Sequence, residues 1–481
     1  MISASDIAVL LPEIVLVAGA IILLMLDAFS PRITRRFGAL LASVVLFAAL
    51  LAVQQGEPSK FPAFGALVSD AFTDMVAVSV LLFGFVAVIS AWSYLEERGL
   101  ASGEFMAAML ATSAGMILIS RSSHLMVIFV ALEILSIGLY MLIGYDRTDV
   151  LSAEAGLKYF ILGAFASALF LFGAVLLYGV TGTMQLTLEQ LPFHTRAGQV
   201  GIALCIAGLG FKISAAPFHL WTPDVYQGAP TPVTAFLSSA SKIAAFAALL
   251  RVVLPSFSPF AEGWHAVWVA LAALTMFVGN VAALVQENVK RILAYSSIAH
   301  VGFMLMALAG GATVGPVGIE GLLFYLLTYA VSAAGAFAAV AVIPGSPDLH
   351  TIRGLAKSHP SMAALFALFL LSLAGVPPLV GFLGKLYAFR SAVDAGMYKL
   401  AAFAALNTAM GMYYYLRIIV RMYMEQRAEP AAFVVPQVAY PVLVLAALAV
   451  VLLGLFPDPV LVLVRQSAEA VVPLARAPVA F

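Results

Sequence analysis

One cysteine, Cys205, stands among the 481 residues. That excludes an intrachain disulfide, and a single thiolate cannot hold an iron–sulfur cluster. Inside its apolar run, Cys205 reads as a small packing residue. Charge is scarce as well. Asp, Glu, Lys and Arg make up 10% of the chain, against roughly 25% in a soluble domain. The 24 basic and 24 acidic residues cancel, which removes any electrostatic case for nucleic-acid binding. No pair of aspartates falls within an apolar run, and this weakens a reading as a simple electroneutral sodium exchanger. The start, MISASDIAVLLPEIVLVAGAIILLMLD, lacks a basic stretch, carries Pro12 and Glu13 inside its apolar run, and has no small-x-small site before Asp27. It reads as a permanent first span, not a cleaved signal.

What is present is apolar surface. Hydrophobic residues make up 63% of the chain, and the mean hydropathy is +1.06. Such a chain cannot carry a polar skin, so an all-α polytopic membrane protein is expected. With about 20 apolar residues per crossing, the runs predict about fourteen spans. They lie near 6–27, 36–54, 72–94, 104–120, 124–144, 152–180, 198–220, 231–254, 264–285, 290–309, 319–343, 361–391, 399–423 and 432–456. The longest loops, 54–70, 181–197 and 344–361, have no room for a soluble catalytic domain. Redox or nucleotide chemistry would therefore sit on other subunits.

Lysine and arginine set the expected orientation. The loops opposite the termini carry Arg32, Arg35, Arg36, Arg98, Arg147, Lys290, Arg291, Arg353, Lys357, Arg417, Arg421 and Arg427. The terminus side carries fewer: Lys60, Arg121, Arg196, Arg251, Arg390, Lys399, Arg465 and Arg476. Both termini are expected on the non-cytoplasmic side.

Two five-span sets of similar spacing follow an N-terminal three-helix segment, 1–95. They cover 104–254 and 264–424, and a C-terminal helix and tail occupy 431–481. Each set has a proline-interrupted fourth span: SAAPFHLWTP, with Pro217 and Pro223, and SLAGVPPLVGFLGK, with Pro377 and Pro378. Five is odd, so the second set would be inverted in the membrane. Matching interrupted spans in inverted halves point to a transport site near the midplane. Chance is the competing explanation, since proline is common in membrane helices.

Ionisable residues inside these spans are the main chemical signal. Each costs roughly 2.5–3.5 kcal/mol at the bilayer centre, so it stays only with a partner or a task. Glu133 sits near the middle of HLMVIFVALEILSIGLYMLIG, too deep to snorkel. It reads as an ionisable site, with a structural polar link as the alternative. Lys212 lies just before Pro217, whose missing N–H frees a carbonyl in the preceding turn. Broken helices persist where freed groups line a cavity or water. Break and lysine together suggest a hydrated proton-binding point; snorkelling is the alternative. Lys242 is central, among Ser238, Ser239 and Ser241. Lys158 is weaker, since it could snorkel or pair with Glu154 four residues before it. Lys385 follows the second break and could also snorkel. His219 and His300 could relay protons, because imidazole titrates near neutrality. Hydrogen-bonded core histidines are the ordinary alternative, and a bis-histidine haem has no other support. The row resembles proton-conduction hardware without an energy source.

The stretches FKISAAPFHLWTPDVYQGAPTPVTAFLSSASK and NVKRILAYSSIAHVGFM resemble the antiporter-like subunits of respiratory complex I. PFHLWTPD is shared with Mrp-type antiporters, whereas VYQGAPTPVTAFLSS resembles the subunit N branch, the counterpart of mitochondrial subunit 2. Sister subunits read more like AHTEAPTPVS there. The resemblance covers essentially the whole chain. It implies fourteen helices in two inverted five-helix repeats. It further implies that Glu133 and Lys212 interact as a pair, with Lys158 and Lys242 as connecting lysines along a central axis. His300 falls in the matching motif of the tenth helix, and Lys385 matches a lysine near the exit. His219 remains a candidate on its own residues.

The implied activity is redox-coupled proton translocation in NADH–quinone oxidoreductase. No cofactor is expected on this chain; NADH, FMN, iron–sulfur clusters and quinone would belong to partner subunits. Expected neighbours are antiporter-like subunit M, small subunits K and J, and lipid. The expected location is the bacterial inner membrane, with both termini periplasmic. The competing readings are a subunit of an Mrp-type cation/proton antiporter and a mainly structural scaffold of complex I.

Overall fold

A computed structural model describes residues 4–53, 64–186, 195–254, 262–345, 347–425, 433 and 435–471. Lys60, Arg427 and Arg476 lie outside the described residues, as do parts of the three longest loops and of segment 431–481. The described residues form helices joined by short connections. The only extended pairings among them are isolated antiparallel bridges, Leu67 with Ser122, His124 with Gln185, and Asn288 with Asp348.

The helices are α1 (Ala4–Val9), α2 (Leu11–Phe29), α3 (Pro31–Val53), α4 (Ala71–Arg98), α5 (Gly103–Arg121), α6 (Leu125–Ile143) and α7 (Val150–Thr181). Next come α8 (Arg196–Ile213), α9 (Thr222–Gly228), α10 (Thr231–Phe236) and α11 (Lys242–Val253), the last two joined through a π-helical turn, Leu237–Ser241. The second half holds α12 (Glu262–Leu284), α13 (Val289–Val314), α14 (Pro316–Ala341), α15 (Leu355–Ser358), α16 (Pro360–Ala374), α17 (Val380–Asp394), α18 (Tyr398–Tyr423), α19 (Ala439–Leu455) and α20 (Asp458–Val471).

Among the described residues eleven helices are long and apolar enough to cross a membrane, or twelve if α19 and α20, bent by 80°, count as one span. The protein is therefore an all-helical, multi-pass membrane protein. The run 361–391 is interrupted where its paired prolines stand. It is two 15-residue helices, α16 and α17, because Gly375 takes a left-handed backbone (φ 87°) and Pro377 and Pro378 follow it. Helix α18 is long enough but carries Lys399, Asn407, Arg417 and Arg421, and it is not among the eleven.

Sequence chemistry sets the ends of these helices. Asp70 and Thr73 form a capping box on α4: Thr73 N donates to Asp70 Oδ1 at 2.8 Å and Asp70 N to Thr73 Oγ1 at 3.0 Å. Gly99, at φ 64°, ends that helix. Asn288 caps α13 by accepting from Arg291 N at 3.1 Å.

Burial separates an inner set of helices from an outer one. The α10–α11 span is buried along its whole apolar window, α13 along 94% and α14 along 89%. The corresponding share is 39% for α7 and for α12, which turn apolar side chains outward. Helix α13 packs tightly on α12. A Cβ added to Gly302 would lie 2.5 Å from Met276 N, so only glycine allows that approach. The break regions described next lie at the ends of α8 and α16.

Candidate functional site

The site is built around the end of α8. Ser214 adopts a left-handed backbone (φ 67°), and Ala215 N donates to Gly210 O at 2.9 Å, closing the helix. The chain stays irregular until Thr222 starts α9. A helix end buried in protein must find partners for its last carbonyls. Trp221 Nε1 donates to Phe211 O at 2.9 Å, and Lys242 Nζ donates to Ile213 O at 3.0 Å. Lys242, only 2% exposed, thus places its charge on the negative end of the α8 dipole.

Lys212 points the other way. Its Nζ donates to Ser136 Oγ at 2.7 Å and lies 3.4 Å from Tyr159 OH. The rings of Tyr159, Phe211 and Tyr140 surround it, with centroids 4.9, 5.6 and 5.7 Å from Nζ. Ser136 and Tyr140 share a face of α6 with Glu133, three and seven residues after it. Glu133 and Lys212 form no ion pair. Glu133 Oε1 is buried without a hydrogen-bond partner.

His300 sits on α13 between two hydroxyls. Tyr325 OH lies 2.8 Å from Nδ1 and Tyr415 OH 3.0 Å from Nε2. Tyr415 OH in turn bonds Ser296 Oγ, and Tyr329 OH donates to Ser297 Oγ at 2.7 Å beside the same imidazole. Neutral imidazole has one donor and one acceptor nitrogen, so both contacts can be satisfied at once by suitable hydroxyl rotation. Lys385 is 6% exposed; its Nζ donates to Ala374 O, the last carbonyl of α16, at 2.8 Å and lies 5.5 Å from the centre of the Phe303 ring.

Two candidates stand apart. Lys158 is half-exposed on α7 and pairs with Glu154 Oε1 at 2.6 Å and Asp224 Oδ2 at 2.7 Å. Asp224 also pairs with Arg291 Nη1 at 2.6 Å. Lys158 therefore belongs to a charged chain at the helix surface and has no direct contact with Lys212. His219 lies in the irregular stretch after α8, with Nδ1 buried and unpartnered.

The structure also holds buried polar groups that charge counting placed in loops. Lys290 is 3% exposed and donates to Ala229 O at 2.7 Å. Arg121 Nε pairs with Glu13 Oε1 at 3.0 Å, and Arg251 Nη2 with Asp70 Oδ2 at 2.9 Å. Both arginines are almost fully buried at the helix ends. The hydroxyl partners Ser136, Tyr159, Tyr325 and Tyr415 carried no sequence signal beyond their helical spacing. Among the described residues no group of three His, Cys, Asp or Glu side chains is placed to hold a metal.

Comparison with known proteins gives a consistent family. The family model described as "NADH:quinone oxidoreductase/Mrp antiporter, TM" matches residues 122–411. The chain is 41% identical to NADH-quinone oxidoreductase subunit N of Myxococcus xanthus, over 97% of this chain and 98% of that one. A chain of respiratory complex I from Thermus thermophilus, solved with bound aureothin, superposes with a TM-score of 0.81 at 36% identity, over 94% of this chain and 98% of that one. A chain of the Mrp complex from Dietzia sp. superposes with a TM-score of 0.83 at 23% identity, over 96% and 97% of the two chains, and shows the shared fold.

Proposed function

The chain belongs to the subunit N family of NADH-quinone oxidoreductase, and from that premise we propose that its protons travel along the buried row from Lys212 to Lys385. It is a proton-translocating membrane subunit of that enzyme, a translocase complex in which NADH reduces quinone. NADH, FMN, iron–sulfur clusters and quinone are assigned to partner subunits, in keeping with a chain that has one cysteine. Antiporter-like subunit M and the small subunits K and J are the proposed neighbours.

The observation that carries the path is the arrangement at the first break. Lys212 is deeply buried, held by side-chain hydroxyls and ring faces, and close to a carboxylate with which it forms no ion pair. Such a lysine can change partners when the surrounding field changes. Lys242 lies at the same break, His300 sits on α13 between the Tyr325 and Tyr415 hydroxyls, and Lys385 ends the row at the second break. Redox energy would arrive as a shift in the Glu133–Lys212 interaction, upon which Lys212 loads or releases a proton towards Lys242, His300 and Lys385. Lys158 and His219 are proposed as accessory sites at the margins of this row.

The proposal includes an inverted five-helix repeat and fourteen crossings. The α16–α17 pair would be one interrupted crossing, with α18 and α19 added to the eleven clear spans. Both termini are proposed on the periplasmic side of a bacterial inner membrane. Burial of Arg121 and Arg251 in ion pairs supports this orientation, because it thins the terminus-side loop charge further than it thins the other side.

The test is Lys212→Ala in the assembled complex. Proton pumping and NADH–quinone reductase activity should fall together by about tenfold or more, the size expected for losing a positioned proton-transfer group. Wild-type values for both would sink the path. The relatives named as subunit N favour this reading over an Mrp-type exchanger or a passive scaffold.

A further inference from the structure

Ser136, three residues after Glu133 on α6, holds Lys212 by its hydroxyl. Its hydroxyl donates to Leu132 O, one turn back on the same helix. The proton is thus committed, and towards Lys212 the oxygen acts as acceptor. Lys212 Nζ takes it at 2.7 Å, a charge-assisted distance, while Tyr159 OH at 3.4 Å is a much weaker second partner. Ring faces fill the rest of the shell, and no carbonyl or carboxylate is bonded to the amine. Glu133, three residues before Ser136, meanwhile holds a buried oxygen with no partner. In a dry interior a cation and a carboxylate at such separation attract strongly. Both partners of an ion pair are therefore present, both are under-satisfied, and the pair is open.

We propose that Ser136 is a positioning residue for proton transfer: its hydroxyl clasps Lys212 one helical turn away from Glu133 and keeps the pair open between turnovers. This rests on the reading of Lys212 as the proton carrier. A clasp of this kind is well matched to a switch. A single hydrogen bond to a charged group is strong enough to hold a side chain yet weak enough to be overridden by a change in the local field. Without it, Lys212 falls onto Glu133 and the open arrangement is lost.

The test uses the whole complex in its membrane, carrying Ser136→Ala or Ser136→Cys, beside Lys212→Ala. The thiol fills the serine's space, being slightly larger, but is a weak acceptor, which separates loss of the clasp from loss of packing. Reductase turnover and proton pumping are measured per assembled complex, and cryo-electron microscopy locates the Lys212 side chain. Both Ser136 variants should lose roughly ten- to a hundredfold in turnover, the factor that corresponds to one hydrogen bond to a charged group. In both, Nζ should lie within ion-pair distance of the Glu133 carboxylate. Should Ser136→Ala fail to assemble, the Cys variant decides. Wild-type turnover per complex in the variants, or a Lys212 that stays off Glu133, overturns the clasp while a dead Lys212→Ala leaves the proton path standing. Normal pumping in Lys212→Ala removes the path and the clasp with it.

Discussion

At the first break α8 ends at Ile213 and the next residue, Ser214, is left-handed; at the second, α16 ends at Ala374 and Gly375 takes the same conformation. In each, a lysine from a later helix donates to the final carbonyl, Lys242 to Ile213 O and Lys385 to Ala374 O. Matching the two caps aligns Pro217 with Pro378, one residue beyond the spacing that the prolines suggest by themselves. It also aligns Lys212 with Leu373, which is buried and apolar. The same backbone solution therefore carries two kinds of lysine. Lys242 and Lys385 are fastened to main-chain carbonyls that cannot be removed. Lys212 is held by a serine hydroxyl and aromatic rings, and is the one with a carboxylate in reserve.

The most disruptive way to break this comparison is Leu373→Lys, which puts a copy of Lys212 into a buried apolar position at the second break. An uncompensated buried charge costs on the order of 3–5 kcal/mol. The yield of assembled complex and its thermal midpoint should both fall sharply. Next come Lys242→Met and Lys385→Met. Each leaves a terminal carbonyl unpaired, with an expected stability loss of about 1–3 kcal/mol, read from thermal unfolding of the purified complex. Similar losses in the two would confirm that these lysines play matching structural parts, and a proton-pumping defect would come in addition. A loss confined to one of them would end the equivalence.

The smallest expected effects are at the two caps themselves. Gly375→Ala puts a Cβ on a left-handed residue and 2.9 Å from Lys385 Cδ, for a loss of about 1–2 kcal/mol from the backbone alone. Ser214→Gly should go the other way, by about 0.5–1 kcal/mol, because it relieves a left-handed non-glycine residue whose buried hydroxyl has no partner. Thermal midpoints of the two variants, measured side by side, check both signs.

Part of this site was open to sequence reasoning. Lysines within apolar runs are conspicuous because burial penalises them, and prolines beside small residues marked both interruptions. The rest was hidden for physical reasons. Arg121, Arg251 and Lys290 sit at span ends, where loop and buried positions look alike until a partner such as Glu13, Asp70 or Ala229 O is seen. Lys158 lies in as apolar a run as Lys242, but the rotation of α7 turns it outward to Glu154 and Asp224. Serine and tyrosine hydroxyls are tolerated throughout membrane helices. Nothing marks Ser136 or Tyr415 until the helix that faces each is known.

The π-helical turn at Leu237–Ser241 has a bearing on all this that hydropathy does not register. It makes the helix one residue out of phase: everything after it is rotated relative to an uninterrupted α-helix by about 100°, the angle between neighbouring residues. Lys242 is the first residue beyond it. Winding all five residues 237–241 as regular α-helix would swing the lysine away from the Ile213 carbonyl, whereas removing one of them would restore regular winding and leave it facing that carbonyl. The direction of a charge inside this membrane protein thus depends on how the residues before it are wound, as much as on which residue carries it.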